Sequence, residues 1–211
     1  MTASFTHCLR NARFDLIALL VSALLFWACA GLARAEVAAA EVTAWQVERD
    51  ADALLLSASV QFELSAAVEE ALNKGVPIVF VAEVDIFRER WYWTNKKVAS
   101  AQRHMRLSYH PLTRHWRLNI ASGPITQSGA ALALNQNFDS LAEALMVVQR
   151  LSRWKIADIA EIDTDQRHQV EFRFRMDLSQ LPRPFQIGTL GQTDWNISVS
   201  SSQPLLPDAI K

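Results

Sequence analysis

Residues 168–178 read HQVEFRFRMDL, and an apolar side chain stands at every even position from Val170 to Leu178. The odd positions between them carry polar or charged side chains, among them Glu171 and Arg173. Successive side chains of a β-strand point to opposite faces of its sheet. This alternation therefore predicts a strand with one face in a core and the other in water.

The same alternation recurs elsewhere in the chain. Residues 54–64 carry apolar side chains at every even position. Residues 105–109 and 116–120 carry them at alternate positions on either side of a short connection, His110–Arg114, which predicts a hairpin. Weaker strands are predicted over three further segments: 43–47, 154–162 and 195–199.

Residues 76–93 form a long extended segment in which the alternation changes phase. Apolar positions are even as far as Ile86 and odd from Phe87 onward. A β-bulge near these two residues is the simplest cause, because one extra residue moves the following side chains to the other face. A strand that passes from one sheet to another would give the same pattern.

Two short helices interrupt the predicted strands. The first covers Ser65 to Lys74, with the serine as its N-cap and Gly75 just past its end. The second covers residues 140–151, where Ser140 and Glu143 form a capping box. About eight strands and two helices predict a mainly β protein, an antiparallel β-sandwich-like domain over residues 36–211.

The N-terminal residues have the pattern of an export signal. Arg10 and Arg13 precede an uncharged apolar stretch, Leu16–Ala33, and a small-residue exit motif ends at Ala35. This order predicts a signal peptide, residues 1–35, that is cleaved after Ala35. The stretch is also close to the shortest spanning helix, so retention as an N-terminal membrane anchor is the alternative. Both interpretations export residues 36–211, and we expect them in the periplasm.

Composition excludes several classes of protein. With 50% hydrophobic and 20% charged residues, the chain is not typical of disorder, and a net charge of −1 argues against a nucleic-acid binder. Both cysteines, Cys8 and Cys29, lie in the leader, which excludes disulfides and cysteine chemistry from the exported part. No phosphate-binding loop, nucleophile elbow or dinucleotide fingerprint is present. The sequence therefore favours a protein without cofactor or catalytic activity.

Charge is unevenly distributed along the exported part. Residues 36–87 contain ten acidic and two basic residues, whereas residues 88–117 contain eight basic and one acidic. The second segment, which we call the basic aromatic hairpin, is also rich in tryptophan and tyrosine. Its candidate surface residues are Arg88, Arg90, Trp91, Tyr92, Trp93, Arg106, Tyr109, Arg114 and Trp116.

Three functions are compatible with this hairpin. Arginine beside aromatic side chains suits a protein–protein interface, so the first is binding of an envelope protein partner, for example in envelope signalling. The second is a module that binds a glycan or an anionic lipid on the exposed aromatic rings. The third is a hydrolase whose paired carboxylates meet in the fold. A purely structural interpretation also stands, in which Tyr109 and Trp116 pair across the hairpin and the arginines neutralise acidic strands.

The histidines give a weaker signal. His110 and His115 flank the hairpin connection and are predicted to be cross-strand neighbours, but no third metal ligand is indicated by spacing. His104 and His168 are predicted to be solvated on outward faces. Four acids, Asp158, Glu161, Asp163 and Asp165, form the densest acidic group and are predicted to lie in a solvated turn. We therefore expect no metal site.

Several strings together resemble one known family. They are RWYW at residues 90–93, LSYHPLTRHWR at 107–117, FDSLAEAL at 138–145, LPRPFQI at 181–187, and Asp194-Trp195. In combination they are similar to the exported proteobacterial family catalogued as domain of unknown function 4390, over roughly residues 44–199. The resemblance implies a bacterial envelope setting, often beside a sensor kinase of the nitrogen-regulation type. It implies no activity and no functional residues, and it leaves the oligomeric state open.

Overall fold

A computed structural model describes residues 40–90, 95–123, 134–163, 165–182 and 195–205. All of them belong to one compact unit, Val37–Lys211. The described residues contain nine strands and two helices, which we number in chain order. They are β1 (Glu41–Asp50), β2 (Ala53–Gln61), α1 (Ala66–Asn73), β3 (Ile78–Arg88), β4 (Lys96–His110), β5 (His115–Ala121), β6 (Leu134–Phe138), α2 (Leu141–Gln149), β7 (Arg150–Asp158), β8 (His168–Met176) and β9 (Ser198–Leu205).

These strands form two antiparallel sheets. The smaller sheet has the order β1-β2-β7, and the larger has the order β6-β5-β4-β3-β8-β9. The even-numbered apolar side chains of β2, β3 and β8 are buried in one common core. The predicted class, a mainly β antiparallel protein with two short helices, is confirmed.

Three phenylalanines join the two sheets at the centre of the core. The ring of Phe62, just after β2, lies 5.4 Å from the ring of Phe80 in β3 and 5.5 Å from that of Phe174 in β8. The rings of Phe80 and Phe174 are 5.9 Å apart. Such ring pairs add to the free energy of burial, which makes this trio a main contact between the two sheets.

Both helix starts follow the sequence signals. The hydroxyl of Ser65 accepts a hydrogen bond from the backbone N–H of Val68, and that of Ser140 accepts one from Glu143. Gly75 follows α1 with φ +82°, a conformation that glycine adopts without steric cost. Each serine thus satisfies a backbone donor that the first helical turn leaves open.

A bulge lies at the predicted position, but its extra residue belongs to β4, so it does not move the side chains of β3 to the other face and does not explain the change of phase. Ile86 pairs with Ala99 and Phe87 pairs with Lys97, so Val98 has no partner in β3. The pairing of β3 with β8 continues without a shift as far as Arg88. The strand therefore stays in one sheet, and the alternative of a strand that changes sheets is wrong.

Other boundaries differ from the predictions. Helix α2 ends at Gln149 and β7 begins at the next residue, whereas the apolar pattern extended the helix to 151 and delayed the strand to 154. Strand β6, with the sequence LNQNF, was not predicted at all. Its two apolar residues form no repeated alternation, so only its pairing with β5 identifies it as a strand.

Among the described residues, no helix has the length and apolar character needed to cross a membrane.

Candidate functional site

The two ends of the basic aromatic hairpin lie far apart, because the long strand β4 runs between them. It runs for 15 residues from Lys96 to His110. At a rise of about 3.3 Å per residue its ends lie roughly 45 Å apart. Arg88 and Arg90 are at one end, which we call the β3–β4 end, and Arg114 is at the other, the β4–β5 end. The candidate residues that the structure describes therefore do not form a single surface.

At the β3–β4 end, the arginines differ in their surroundings. Arg88 is half-buried, and its Nη1 lies 3.9 Å from Oδ2 of Asp163. Arg90 and Lys96 are exposed, and neither forms a hydrogen bond or ion pair with any residue that the structure describes. Lys96 pairs in register with Arg88, so it lies beside the last residue of β3. Trp91, Tyr92 and Trp93 lie outside the described residues.

The β4–β5 end is a tight hairpin with one aromatic pair. Tyr109 pairs in register with Trp116, and their ring centroids are 4.8 Å apart. Trp116 is only 6% exposed and belongs to the core, so it cannot serve as a binding platform. The structural interpretation of this pair is confirmed. Leu112 at the turn is fully exposed, and the exposed Arg114 has φ +56°.

Arg106 lies between these two ends on the outer face of the larger sheet. It pairs in register with Val79, and its side chain is partly buried. Val79 and its neighbour Val81 are almost fully buried although they point away from the main core. Arg106 therefore lies in register with a buried valine and belongs to neither exposed end.

A row of ion pairs crosses the outer face of the larger sheet. The carboxylate of Asp85 in β3 pairs with Arg173 in β8, accepts a hydrogen bond from Ser100 at 2.7 Å, and lies 3.1 Å from Nζ of Lys97. Nη2 of Arg175 donates to Glu83 at 3.2 Å. These groups were not predicted as a cluster. The signal was available, because acids alternate along β3 and arginines alternate along β8 at positions that become partners.

Asp85 remains ionised in this row. It is only 4% exposed, and burial alone would raise the pKa of its carboxyl group. Hydrogen bonds from Ser100 and Lys97, together with the positive charges of Lys97 and Arg173, nevertheless hold that pKa below its ordinary value. A carboxylate with this many partners is suited to holding strands together and not to proton transfer.

The prediction that His104 and His168 are solvated is wrong. They are 8% and 1% exposed, respectively. Burial lowers the pKa of both imidazoles, and it is the largest influence on each. Nδ1 of His168 lies 3.1 Å from the carbonyl oxygen of Gln166. The remaining ring nitrogen of His168 and Nδ1 of His104 have no hydrogen-bond partner among the described residues.

The other predicted groups lie at the surface. His110 and His115 are cross-strand neighbours, as predicted, and Nδ1 of His115 lies 3.1 Å from Oδ1 of Asp139. All four residues of the densest acidic group are exposed, and Asp158 pairs with Lys155 at 2.6 Å. Within the described part of the chain, no three histidine, cysteine or acidic side chains are grouped for a metal ion.

The fold and these surfaces define a two-sheet antiparallel β protein with several polar faces. The sequence profile of one family, described as domain of unknown function (DUF4390), matches residues 37–203. Because that match covers most of the chain, the protein belongs to the DUF4390 family. Comparison with curated proteins and with solved structures gave no match.

Proposed function

We propose that this is an exported cell-envelope protein that binds an acidic protein partner through its β3–β4 end. The observation that carries the proposal is the pair of exposed cations, Arg90 and Lys96, which have no partner among the described residues. They lie on either side of the sequence Trp91-Tyr92-Trp93. Arginine and aromatic side chains are the residues most often found at the energetic centre of protein interfaces.

The first part of the proposal is that residues 36–211 are exported from the cytoplasm. The basic start, the apolar stretch and the exit motif at Ala35 support export of residues 36–211 to the periplasm. Cleavage after Ala35 predicts a mature chain that begins at Glu36, and retention of the leader predicts a chain anchored at the membrane. N-terminal sequencing of protein purified from the periplasmic and membrane fractions distinguishes these two outcomes. A full-length chain in the cytoplasmic fraction would contradict export.

The charge of the surface suggests the chemistry of the partner. Arg88 and Lys97 are already paired with Asp163 and Asp85, so they contribute little free charge. Arg90 and Lys96 remain to attract carboxylates of a partner and to accelerate its association. An acidic periplasmic domain of a sensor kinase fits this requirement and agrees with the envelope setting that the family resemblance implies.

Support for a binding role over a catalytic one comes from the carboxylates. Asp85 is buried, but it is ionised and held by three side chains. Hydrolysis by paired carboxylates needs one acid whose pKa is raised so that it can donate a proton. Asp85 is not such an acid, because its partners hold the pKa of its carboxyl group below the ordinary value.

Charge reversal at the two ends of β4 tests the partner proposal. The double variant R90E/K96E is expected to weaken binding of the acidic periplasmic domain by at least about tenfold, because it replaces attraction with repulsion. Both side chains are exposed, so the fold should persist, as an unchanged circular dichroism spectrum would verify. The comparison variant R114E/R117E makes the same charge change at the β4–β5 end and should bind like the wild type. Equal affinity of R90E/K96E and the wild type would sink the proposal.

A further inference from the structure

A cavity of about 360 Å³ opens on the outer face of the smaller sheet, over the middle of β2. The β2 side chains that reach it are Ser57 and Ser59, at odd positions that point away from the core. Ala44 and Gln46 line it on β1, and Arg150 and Ser152 line it on β7. The cavity is far in sequence from the β3–β4 end, and it lies on the other sheet.

The pairing of β2 with each of its neighbours, β1 and β7, changes register next to this cavity. The pairing of β1 with β2 shifts between Val42 and Ala44. The pairing of β2 with β7 shifts between Leu56 and Ala58, where β7 has one residue more than β2. Bulges bend the strand that carries them and are frequent next to binding sites. Two bends beside short serine side chains leave a depression in the sheet.

The bulge in β7 holds a residue in an unfavourable conformation. Arg153 has φ +45°, in the left-handed region that residues with a side chain rarely adopt. Its backbone N–H donates to the hydroxyl of Ser57 at 3.2 Å, and its guanidinium pairs with Asp50. These two contacts fix the bulge, so the shape of the cavity is built into the sheet. Non-glycine residues held in this way cluster at ligand sites.

The lining has the chemistry of a site for a hydroxyl-rich anion. Arg150 is exposed, and its guanidinium has no hydrogen bond or ion pair with any residue that the structure describes. An arginine fork matches the two oxygens of a carboxylate or phosphate. The serine hydroxyls can donate or accept, while Gln46 donates to Glu48 and keeps its own amide oxygen as an acceptor. None of the residues that line the cavity is acidic.

We infer that this cavity binds a small acidic sugar, with the anionic group on Arg150 and the ring hydroxyls on the serines. Its volume is near the lower end of ligand pockets, which range over roughly 300–1,000 Å³, so one sugar ring is the expected size. A carboxylate of a uronic acid and the phosphate of a sugar phosphate offer the same chemistry to the arginine. The binding experiment separates these two sources.

The test is a titration of the ¹⁵N-labelled full chain, followed by amide chemical shifts. Glucuronate and glucose 6-phosphate are the two anionic probes, and glucose is the uncharged control. At least one anionic probe is expected to give saturable shifts at Ser57, Ser59 and Ser152, and the tighter probe identifies the source of the anion. Glucose should bind at least about tenfold more weakly, because it lacks the group that Arg150 recognises.

Two variants keep the test decisive. R150Q should lower the affinity for the preferred anion by about tenfold and leave amide shifts outside the cavity unchanged. K155Q removes another exposed cation of β7 that does not line the cavity, and it should bind like the wild type. The inference is overturned by no saturable shift with either anion, by shifts confined to other residues, by equal binding of glucose, or by full affinity in R150Q.

Discussion

At Asp85, a single buried carboxylate links three strands of the larger sheet. It contacts Arg173 of β8 together with Ser100 and Lys97 of β4, while lying on β3 itself. Breaking a buried ion pair by removing one partner costs about 3–5 kcal/mol. Because the cationic partners here are about half exposed, water screens them and the cost is smaller.

We expect D85N to lower the free energy of unfolding by about 1–3 kcal/mol, because it removes the nearer of the two carboxylates of Arg173 and the anionic partner of Lys97. Urea unfolding followed by circular dichroism measures the change. E171Q is the matched control, since Glu171 lies on the same face of the neighbouring strand and has no ion pair among the described residues. Its change should stay within about 0.5 kcal/mol. Equal effects of the two variants would contradict a special role for Asp85.

The ion pairs of Asp85 should also make stability depend on pH in the acidic range. The pKa of Asp85 is lower in the folded chain than the ordinary 3.8, so the unfolded chain binds more protons at low pH. Its contribution to stability is therefore complete above the ordinary value and is lost as the pH falls through the folded value. The free energy of unfolding of D85N should accordingly depend less steeply on pH below about 4. A slope as steep as that of the wild type would count against this assignment.

The buried histidines predict a second pH dependence. Burial lowers the folded pKa of both His104 and His168 below 6.5, so stability should fall as the pH drops below that value. Arg88, Glu89 and Asp163 are the charged groups that act on His168. We expect H168Q to reduce the loss of stability between pH 7 and pH 5, and H104Q/H168Q to reduce it further. The measurement is a series of urea midpoints across this range, and an unchanged slope in the double variant would refute the explanation.

At the level of strands and helices, the sequence predicts features that depend on residues close in the chain, but it does not predict features that depend on residues far apart in the chain. The caps at Ser65 and Ser140 depend on residues three positions away, and both were predicted. The bulge in β7 depends on Ser57 and Asp50, which are distant in the chain, and no local pattern indicates it. His168 is a different case, because the alternation of β8 itself places this even position on the buried face.

The hairpin between β1 and β2 offers a test at this scale. Ala51 in the two-residue turn has φ +51°, where glycine has no steric cost. A51G should raise the free energy of unfolding by about 0.5–1 kcal/mol. A53G makes the same change two residues later, inside β2, and should lower stability because glycine weakens a strand. A destabilised A51G would contradict the turn geometry.

At the scale of the whole molecule, the length of β4 changes the interpretation of the charge pattern. In the sequence, the basic and aromatic residues of 88–117 form one segment, and a single surface was the natural hypothesis. In the fold, β4 extends for 15 residues and separates Arg88 and Arg90 at one end from Arg114 at the other. Trp116 is part of the core, and Arg106 lies between the two ends. Among the described residues of this segment, the exposed cations without a described partner are Arg90 and Lys96 at the β3–β4 end and Arg114 at the β4–β5 end.

The most direct test of the proposed partner surface is site-specific photo-crosslinking in living cells. A photoreactive phenylalanine derivative replaces Asn95 at the β3–β4 end, or Leu112 at the β4–β5 end, both of which are exposed. We expect one discrete adduct with an acidic envelope protein from position 95, its loss in R90E/K96E, and no such adduct from position 112. An adduct from position 112 that survives R90E/K96E, with none from position 95, would show that the β3–β4 end is not the partner surface.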